Sequence, residues 1–144
     1  MSGNILQFKI ATPERVVYED EINQVSIPTT SGEVTILPNH IPLVSVIKSG
    51  EIKIVDKDGE HVLAIAGGFL EVRDDNEIII LADNAERAEE IDIEKAEEAR
   101  ARAQKEIEEA KGEENTDFAK LQAVLDREMN RIRVGKKYKQ TRNT

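Results

Sequence analysis

The sequence predicts a two-domain chain of the β + α class, with an N-terminal β-sandwich over residues 1–84 and a C-terminal antiparallel helical hairpin over residues 85–144. The hydrophobic period supports this, because it changes from about two to about three and a half near Ala82–Ala96. Composition changes at the same joint. All four prolines and six of the eight glycines precede it, whereas alanine, glutamate, lysine and arginine dominate after it.

Short strands separated by turn residues make up the first domain. Alternation over residues 5–10 places Leu6, Phe8 and Ile10 on one buried face. Further strands are predicted at 15–18, 22–28, 34–37, 43–47, 51–55, 61–66, 69–72 and 77–81. Strands this short and this frequent are typical of a sandwich or a barrel.

Glycine and proline mark the connections between these strands. Asp58-Gly59 predicts a tight hairpin, and Pro38–Pro42 predicts an irregular loop because each proline fixes its own φ. Gly67 and Gly68 are adjacent within apolar sequence, which indicates a bulge or a close backbone approach rather than a catalytic loop.

Two helices are predicted after the joint. Asp92 is the expected N-cap of a helix that begins near Ile93. Its apolar face is mostly alanine and consists of Ile93, Ala96, Ala99, Ala103, Ile107 and Ala110. A second, bulkier stripe consists of Phe118, Leu121, Leu125, Met129 and Ile132. A turn of a few residues between two such helices predicts an antiparallel hairpin.

The charge is unevenly distributed along the chain. The net charge of -9 disfavours binding to nucleic acid or to an anionic lipid surface. Residues 86–117 contain thirteen acidic and six basic side chains, whereas residues 118–144 contain two acidic and eight basic ones. The two helices therefore either pair weakly with each other, or the basic helix forms an arm for an acidic partner elsewhere. The start of the sequence lacks a charged-then-apolar leader, which favours the cytoplasm.

No enzyme motif is found in the sequence. With no cysteine, the chain has no thiolate nucleophile, and His40 and His61 have no partner at metal-ligand spacing. Such histidines are usually structural or surface groups, and a P-loop is absent. The spacing of residues indicates a binding or regulatory module rather than a catalyst.

Three stretches share a pattern with a known family. They read SGEVTILPNHIPLV at Ser31–Val44, GGFLEV at Gly67–Val72 and AERAEEID at Ala85–Asp92. Together they resemble the epsilon subunit family of bacterial F-type ATP synthases, and the resemblance extends from Gln7 to about Val134.

The resemblance implies a ten-stranded β-sandwich and a helical hairpin in a non-catalytic rotor subunit of the central stalk. Such a subunit sits on the foot of gamma, couples it to the membrane c-ring and lies on the cytoplasmic face of the cell membrane through the complex. By the match of the first stretch, Glu33 and His40 are expected to meet the polar loops of the c-ring. Family members often have glycine where this chain has Thr35 and Asn39. Asn39 tolerates a left-handed turn, whereas Thr35 indicates extended backbone.

The joint is similar to the family's I-D-x-x-R-A motif, which binds ATP in some members. This chain reads IDIEKA at Ile91–Ala96, so Lys95 replaces the arginine fork with a point charge. The implied site for a regulatory ATP consists of Glu86, Ile91, Asp92, Lys95, Ala96, Arg127 and Arg131. No metal and no required cofactor are expected. The alternative is an N-cap followed by ordinary helix residues.

The resemblance also implies that the C-terminal helices inhibit ATP hydrolysis. In an extended state, Arg127, Arg131 and Arg133 are expected to meet acidic segments of the alpha and beta catalytic subunits. Two other functions stay open at this point. One is a free-standing nucleotide-sensing adaptor, and the other is a purely structural coupling module without regulation.

Overall fold

The computed structural model of the chain describes residues 5–110 and 117–142. The chain divides into two compact units between Ala88 and Glu89. This division lies after the predicted boundary at 84/85, because Ala85–Arg87 forms a strand that pairs with the first unit. A three-residue strand with two charged members has too little alternation to be recognised in the sequence.

The described part of the first unit forms ten strands, the number that the family resemblance implied. They are β1 (Leu6–Ala11), β2 (Val16–Ile22), β3 (Gln24–Thr29), β4 (Gly32–Ile36), β5 (Leu43–Ile47), β6 (Gly50–Asp56), β7 (Gly59–Ile65), β8 (Gly68–Arg73), β9 (Glu77–Ala82) and β10 (Ala85–Arg87). One predicted boundary is wrong, because Ile22 ends β2 instead of starting β3. The three acidic residues before Ile22 continue β2. Because β2 is the last strand in the sheet order, these side chains can point into solvent.

The strands follow the order β10, β7, β6, β3, β5, β8, β9, β1, β2, with β4 paired to β3. Among the described ladders, β1 and β9 are parallel and the others are antiparallel. Both β6 and β10 contact β2, so the two ends of the sheet come together and enclose a core. Leu6, Phe8 and Ile10 are fully or almost fully buried in that core, as predicted.

The turn residues adopt the backbone conformations that were predicted for them. Lys57 and Asp58 connect β6 to β7, and Gly59 follows with φ 120°. Asn39 adopts the left-handed conformation with φ 71°, and Thr35 lies in β4 with extended backbone. At Gly68, with φ 142°, an added Cβ would lie 2.5 Å from the carbonyl oxygen of Leu81. The close backbone approach predicted for this glycine pair is therefore confirmed.

The described part of the second unit contains two helices, α1 (Ile93–Glu109) and α2 (Phe118–Arg142), after a short 3-10 turn at Ala88–Glu90. A Cβ placed on Gly135 would lie 3.0 Å from a side-chain carbon of Ile93, so the second half of α2 packs beside the start of α1. Leu121, near the start of α2, lines a cleft together with Ala103 in the second half of α1. The helices are therefore antiparallel, as predicted.

The face that α1 buries is the predicted alanine stripe, with Ala96 and Ala103 buried most completely. The predicted stripe of α2 is only partly correct. Leu125 and Ile132 are buried, but Phe118 and Met129 are exposed. Glu128 and Gly135 are buried in the same turns instead. Neither described helix has the length and apolarity that crossing a bilayer requires.

Candidate functional site

The ring-facing residues predicted from the family resemblance lie at the two ends of β4. Glu33 is exposed and pairs with Pro28 near the start of the strand, whereas His40 is half-buried in the loop after it. The structure therefore places Glu33 within β4 and His40 in the loop that follows it, and their contact with the c-ring stays a prediction.

Hydrogen bonds hold the loop that contains His40, including one from the backbone N–H of His40 to the carbonyl oxygen of Leu37 at 3.2 Å. The backbone N–H of Asn39 donates to Oδ1 of Asn76 at 2.6 Å, which ties the loop to the turn between β8 and β9. Nδ1 of His40 lies 2.6 Å from the carbonyl oxygen of Ile41, so this ring nitrogen is the donor. The fixed loop presents Leu37 and Ile41 to solvent.

A row of outward-facing apolar side chains, here called the apolar row, crosses β5, β8, β9, β1 and β2. The sequence analysis did not predict this row. Val46 of β5 pairs with Phe69 of β8, and Phe69 pairs with Leu81 of β9. Leu81 pairs in turn with Ala11 of β1, which pairs with Val16 of β2. The four large members, Val16, Val46, Phe69 and Leu81, are between 47% and 60% exposed.

Directly paired residues of a sheet have adjacent side chains, so this apolar row is continuous over five strands. Val44 lies two residues before Val46 and extends the same outer face. Contiguous exposed apolar surface of this kind is typical of a protein interface. A signal was present in the sequence, because β5, β8 and β9 have apolar residues at both phases of the alternation.

The predicted nucleotide residues belong to both units. Glu86 is in β10 of the first unit, whereas the other six are in the second. Asp92 acts as the N-cap of α1, because its Oδ1 accepts a hydrogen bond from the backbone N–H of Lys95 at 3.1 Å. Ile91 and Ala96 are buried. The N-cap interpretation of this motif is therefore confirmed, and nucleotide binding stays a prediction.

The two predicted arginines of α2 contact the same carboxylate. Nε of Arg127 lies 3.3 Å from Oε1 of Glu128, and Nη1 of Arg131 lies 2.8 Å from Oε2. Sequence reasoning assigned no role to Glu128, because an acidic residue between arginines resembles an ordinary solvated helix face. Arg133 donates to the side-chain oxygen of Asn130 within α2.

An ion pair joins α2 to α1 directly. Nζ of Lys136 lies 3.3 Å from Oε1 of Glu97, and both side chains are largely exposed. Exposed pairs of this kind contribute under about 1 kcal/mol each and weaken with salt. The charge complementarity predicted for the two helices is therefore present, but this contact adds little to the stability of the hairpin.

A cleft of about 470 Å³ opens between the two helices. Its lining residues are Ala99, Arg102, Ala103 and Glu106 of α1 and Asp117, Lys120, Leu121, Val124 and Arg127 of α2. Three of these side chains are cationic, namely Arg102, Lys120 and Arg127, and two are acidic, namely Glu106 and Asp117. The cleft includes Arg127 of the predicted ATP residues.

Four side chains from four strands meet in the first unit. The Tyr18 hydroxyl donates to Oδ2 of Asp56 at 3.2 Å, and Nε2 of His61 lies 3.0 Å from the same oxygen. The guanidinium carbon of Arg87 lies 5.1 Å from the centre of the Tyr18 ring. This geometry gives His61 a structural role. Across the residues that the structure describes, no His, Cys, Asp or Glu side chains are grouped to hold a metal.

The charges of this cluster are set by burial and hydrogen bonding. Burial, followed by the nearby Asp56 carboxylate, raises the pKa of Tyr18 to about 12. Burial opposes ionisation of Asp56, but hydrogen bonds from Asp58 and His61 lower the pKa of its carboxyl below the usual value. Asp56 is therefore the charged centre of the cluster and Tyr18 its neutral donor.

Comparison with known proteins gives a consistent match over nearly the whole chain. Residues 5–88 match the model of the ATP synthase delta/epsilon chain β-sandwich domain, and residues 89–136 match that family's long α-helix domain. The ATP synthase epsilon chain of Halalkalibacterium halodurans is 40% identical over 129 residues, which cover 90% of this chain and 96% of the relative. That of Ligilactobacillus salivarius is 40% identical over 135 residues, covering 92% and 96%.

A solved structure has the same fold. A chain in the Euglena gracilis mitochondrial ATP synthase, determined as an OSCP/F1/c-ring assembly, aligns with a TM-score of 0.72 at 20% identity. The alignment covers 88% of this chain and 79% of that one.

Proposed function

This chain belongs to the ATP synthase delta/epsilon chain family, as an epsilon subunit of the F-type enzyme, and from this premise we propose how its two units work. The β unit joins the gamma subunit to the c-ring in the central stalk. The helical unit regulates ATP hydrolysis and carries no catalytic group of its own. The chain lies at the cytoplasmic face of the membrane through these partners.

The apolar row is the observation that best supports coupling to gamma. Val16, Val46, Phe69 and Leu81 form a continuous outward strip on a rigid sheet, and solvent exposure of such a strip is unfavourable unless a partner covers it. Gamma is the partner that we assign to the strip. Glu33 and His40, which lie outside the strip, are assigned to the polar loops of the c-ring.

We assign regulation to the hairpin because the contact between its two helices buries little apolar area. The α1 face is mostly alanine, so separating the helices exposes little apolar area at about 25 cal/mol per Å². A small free-energy difference between closed and open hairpins allows a partner to shift the equilibrium. In the open state, Arg127, Arg131 and Arg133 bind acidic segments of the alpha and beta subunits and slow hydrolysis.

ATP is the regulatory ligand that we assign to the closed hairpin. The site's residues within the helical unit are Ile91, Asp92, Lys95, Ala96, Arg127 and Arg131. Since ATP would bind only the closed state, it would shift the hairpin away from the inhibitory state. The cleft that Arg127 lines between the two helices supports this assignment.

Copurification with gamma tests the coupling function. In Phe69→Glu, a charge replaces the centre of the apolar row. Burying one such aromatic side chain contributes about 1.5–3 kcal/mol, so affinity for gamma should fall roughly tenfold to a hundredfold. Phe118→Glu is the matched control, because Phe118 is an exposed aromatic residue of the helical unit.

The possible outcomes test the apolar row as the docking surface separately from the coupling function itself. If Phe69→Glu retains full affinity while the unmodified chain binds gamma, the apolar row is not the docking surface and the coupling function stands. If the unmodified chain does not bind gamma at all, the proposed coupling is wrong.

A further inference from the structure

Glu128 is unusual because its carboxylate is buried on an otherwise strongly charged helix. Its side chain is only 3% exposed. Glutamate is almost never buried so completely unless its charge is paired. The buried carboxylate of Glu128 must therefore be paired with cations inside the folded hairpin.

The partners of Glu128 are the two arginines that the proposed ATP site assigns to phosphate. Arg127 contacts one carboxylate oxygen and Arg131 contacts the other, at 3.3 Å and 2.8 Å. The guanidinium fork binds carboxylate and phosphate with the same geometry, so one anion can replace the other. In this structure the anion beside these arginines belongs to the chain itself.

The position of Glu128 along α2 places it on the helix face that packs against α1. It lies seven residues, or two turns, after Leu121 and seven before Gly135, and both of those residues neighbour α1. The opposing part of α1 presents small side chains, including Ala96 and Ala99. This narrow seam can accommodate the carboxylate of Glu128 between the helices.

We propose that Glu128 is an internal anion of the hairpin, which competes with the phosphates of ATP for Arg127 and Arg131. The inference rests on the proposed ATP site and describes how a residue of this chain lowers the affinity of that site for ATP. A nucleotide must displace the carboxylate or bind beside it, and like charges at such distances repel. Glu128 therefore lowers the affinity of the hairpin for ATP.

Calorimetric titration of the full chain with ATP tests this competition. In Glu128→Gln the side chain keeps its length and loses its charge, and Glu128→Ala removes the carboxylate with a strong helix former. Both variants should bind ATP about tenfold more tightly than the unmodified chain, because the two guanidiniums become available to phosphate. Adding Arg127→Ala and Arg131→Ala to Glu128→Gln should abolish the gain.

Glu97→Gln is the matched control. It removes the same charge from the hairpin and breaks the exposed pair with Lys136, but it leaves Arg127 and Arg131 in place. Its ATP affinity should stay within about twofold of the unmodified chain. Helical circular dichroism checks that each variant is folded, and if Glu128→Gln is not, Glu128→Ala gives the comparison.

The outcomes separate this inference from the ATP site itself. If the unmodified chain binds ATP and Glu128→Gln binds it no more tightly, the competition is overturned and the ATP site stands. If only the Glu128 variants bind ATP, the competition is supported and nucleotide sensing by the unmodified chain is excluded. If no variant binds ATP, both are overturned.

Discussion

At the scale of single residues, the clearest constraint on the β unit is a shared carboxylate. Asp56 accepts hydrogen bonds from Tyr18 of β2 and His61 of β7, and Arg87 of β10 covers the Tyr18 ring. These side chains join strands from opposite ends of the sheet order. The cluster therefore holds the folded sheet closed and stabilises the last strand before the helical unit.

The lowered pKa of Asp56 predicts acid sensitivity. A carboxyl whose pKa is lower in the folded state contributes stability above its unfolded pKa and loses it as pH falls through the folded pKa. Asp56→Asn should cost about 1–3 kcal/mol at neutral pH and should flatten the loss of stability below about pH 4. Urea unfolding at several pH values measures both effects. Asp58→Asn, an exposed change in the adjacent turn, is the control. An unchanged acid profile in Asp56→Asn would exclude Asp56 as the source.

Gly68 imposes a steric constraint, and it gives a second prediction at this scale. Gly68→Ala places a Cβ 2.5 Å from the Leu81 carbonyl oxygen at φ 142°, so both strain and overlap oppose it. The expected loss is about 2 kcal/mol or more. Gly59→Ala has a similar φ of 120°, but its Cβ would meet no atom within 4 Å, so it should cost only about 1 kcal/mol. Equal unfolding midpoints for the two variants would contradict the close approach.

At the scale of elements, the sequence predicted α1 better than α2. The α1 stripe has one alanine-rich period, and the structure buries Ala96 and Ala103 of that stripe and partly buries its other members. In α2 the apolar period predicted that Met129 is buried, but Met129 is exposed and the adjacent Glu128 is buried instead. Glu128 can be buried because two arginines pair with its charge. A hydrophobic pattern cannot identify a carboxylate whose burial depends on pairing. Strand β10 was missed for a similar reason, since its stability comes from pairing with β7 and from Arg87.

The contribution of β10 can be measured by truncation. A chain that ends at Ala88 keeps β10 and should unfold cooperatively on its own, because the core of the β unit comes from its ten strands. A chain that ends at Asn84 exposes the edge of β7 and loses the contact between Arg87 and Tyr18. Its thermal midpoint should be several degrees lower, as expected for a loss of about 1 kcal/mol. Identical midpoints would show that β10 adds nothing to the unit.

At the scale of the whole molecule, each unit has features suited to one task. The β unit has a continuous core and exposes the apolar row to solvent, which suits a docking surface. The helical unit has an alanine seam and opposite charges on its helices, which suits an element that opens and closes. Fold and family could be predicted from sequence because strand alternation and three motifs are local. The apolar row was not predicted, because apolar residues at both phases of a strand do not show which of them become neighbours until five strands are paired in register.

We propose that the β unit provides coupling and that the helices provide inhibition. The most direct measurement compares ATP hydrolysis and ATP-driven proton pumping in the assembled enzyme containing the full chain, the chain ended at Ala88, or no chain. The proposed division predicts that the chain ended at Ala88 restores pumping and raises hydrolysis several-fold above the level with the full chain. Hydrolysis as slow as with the full chain, or pumping as poor as with no chain, would contradict it.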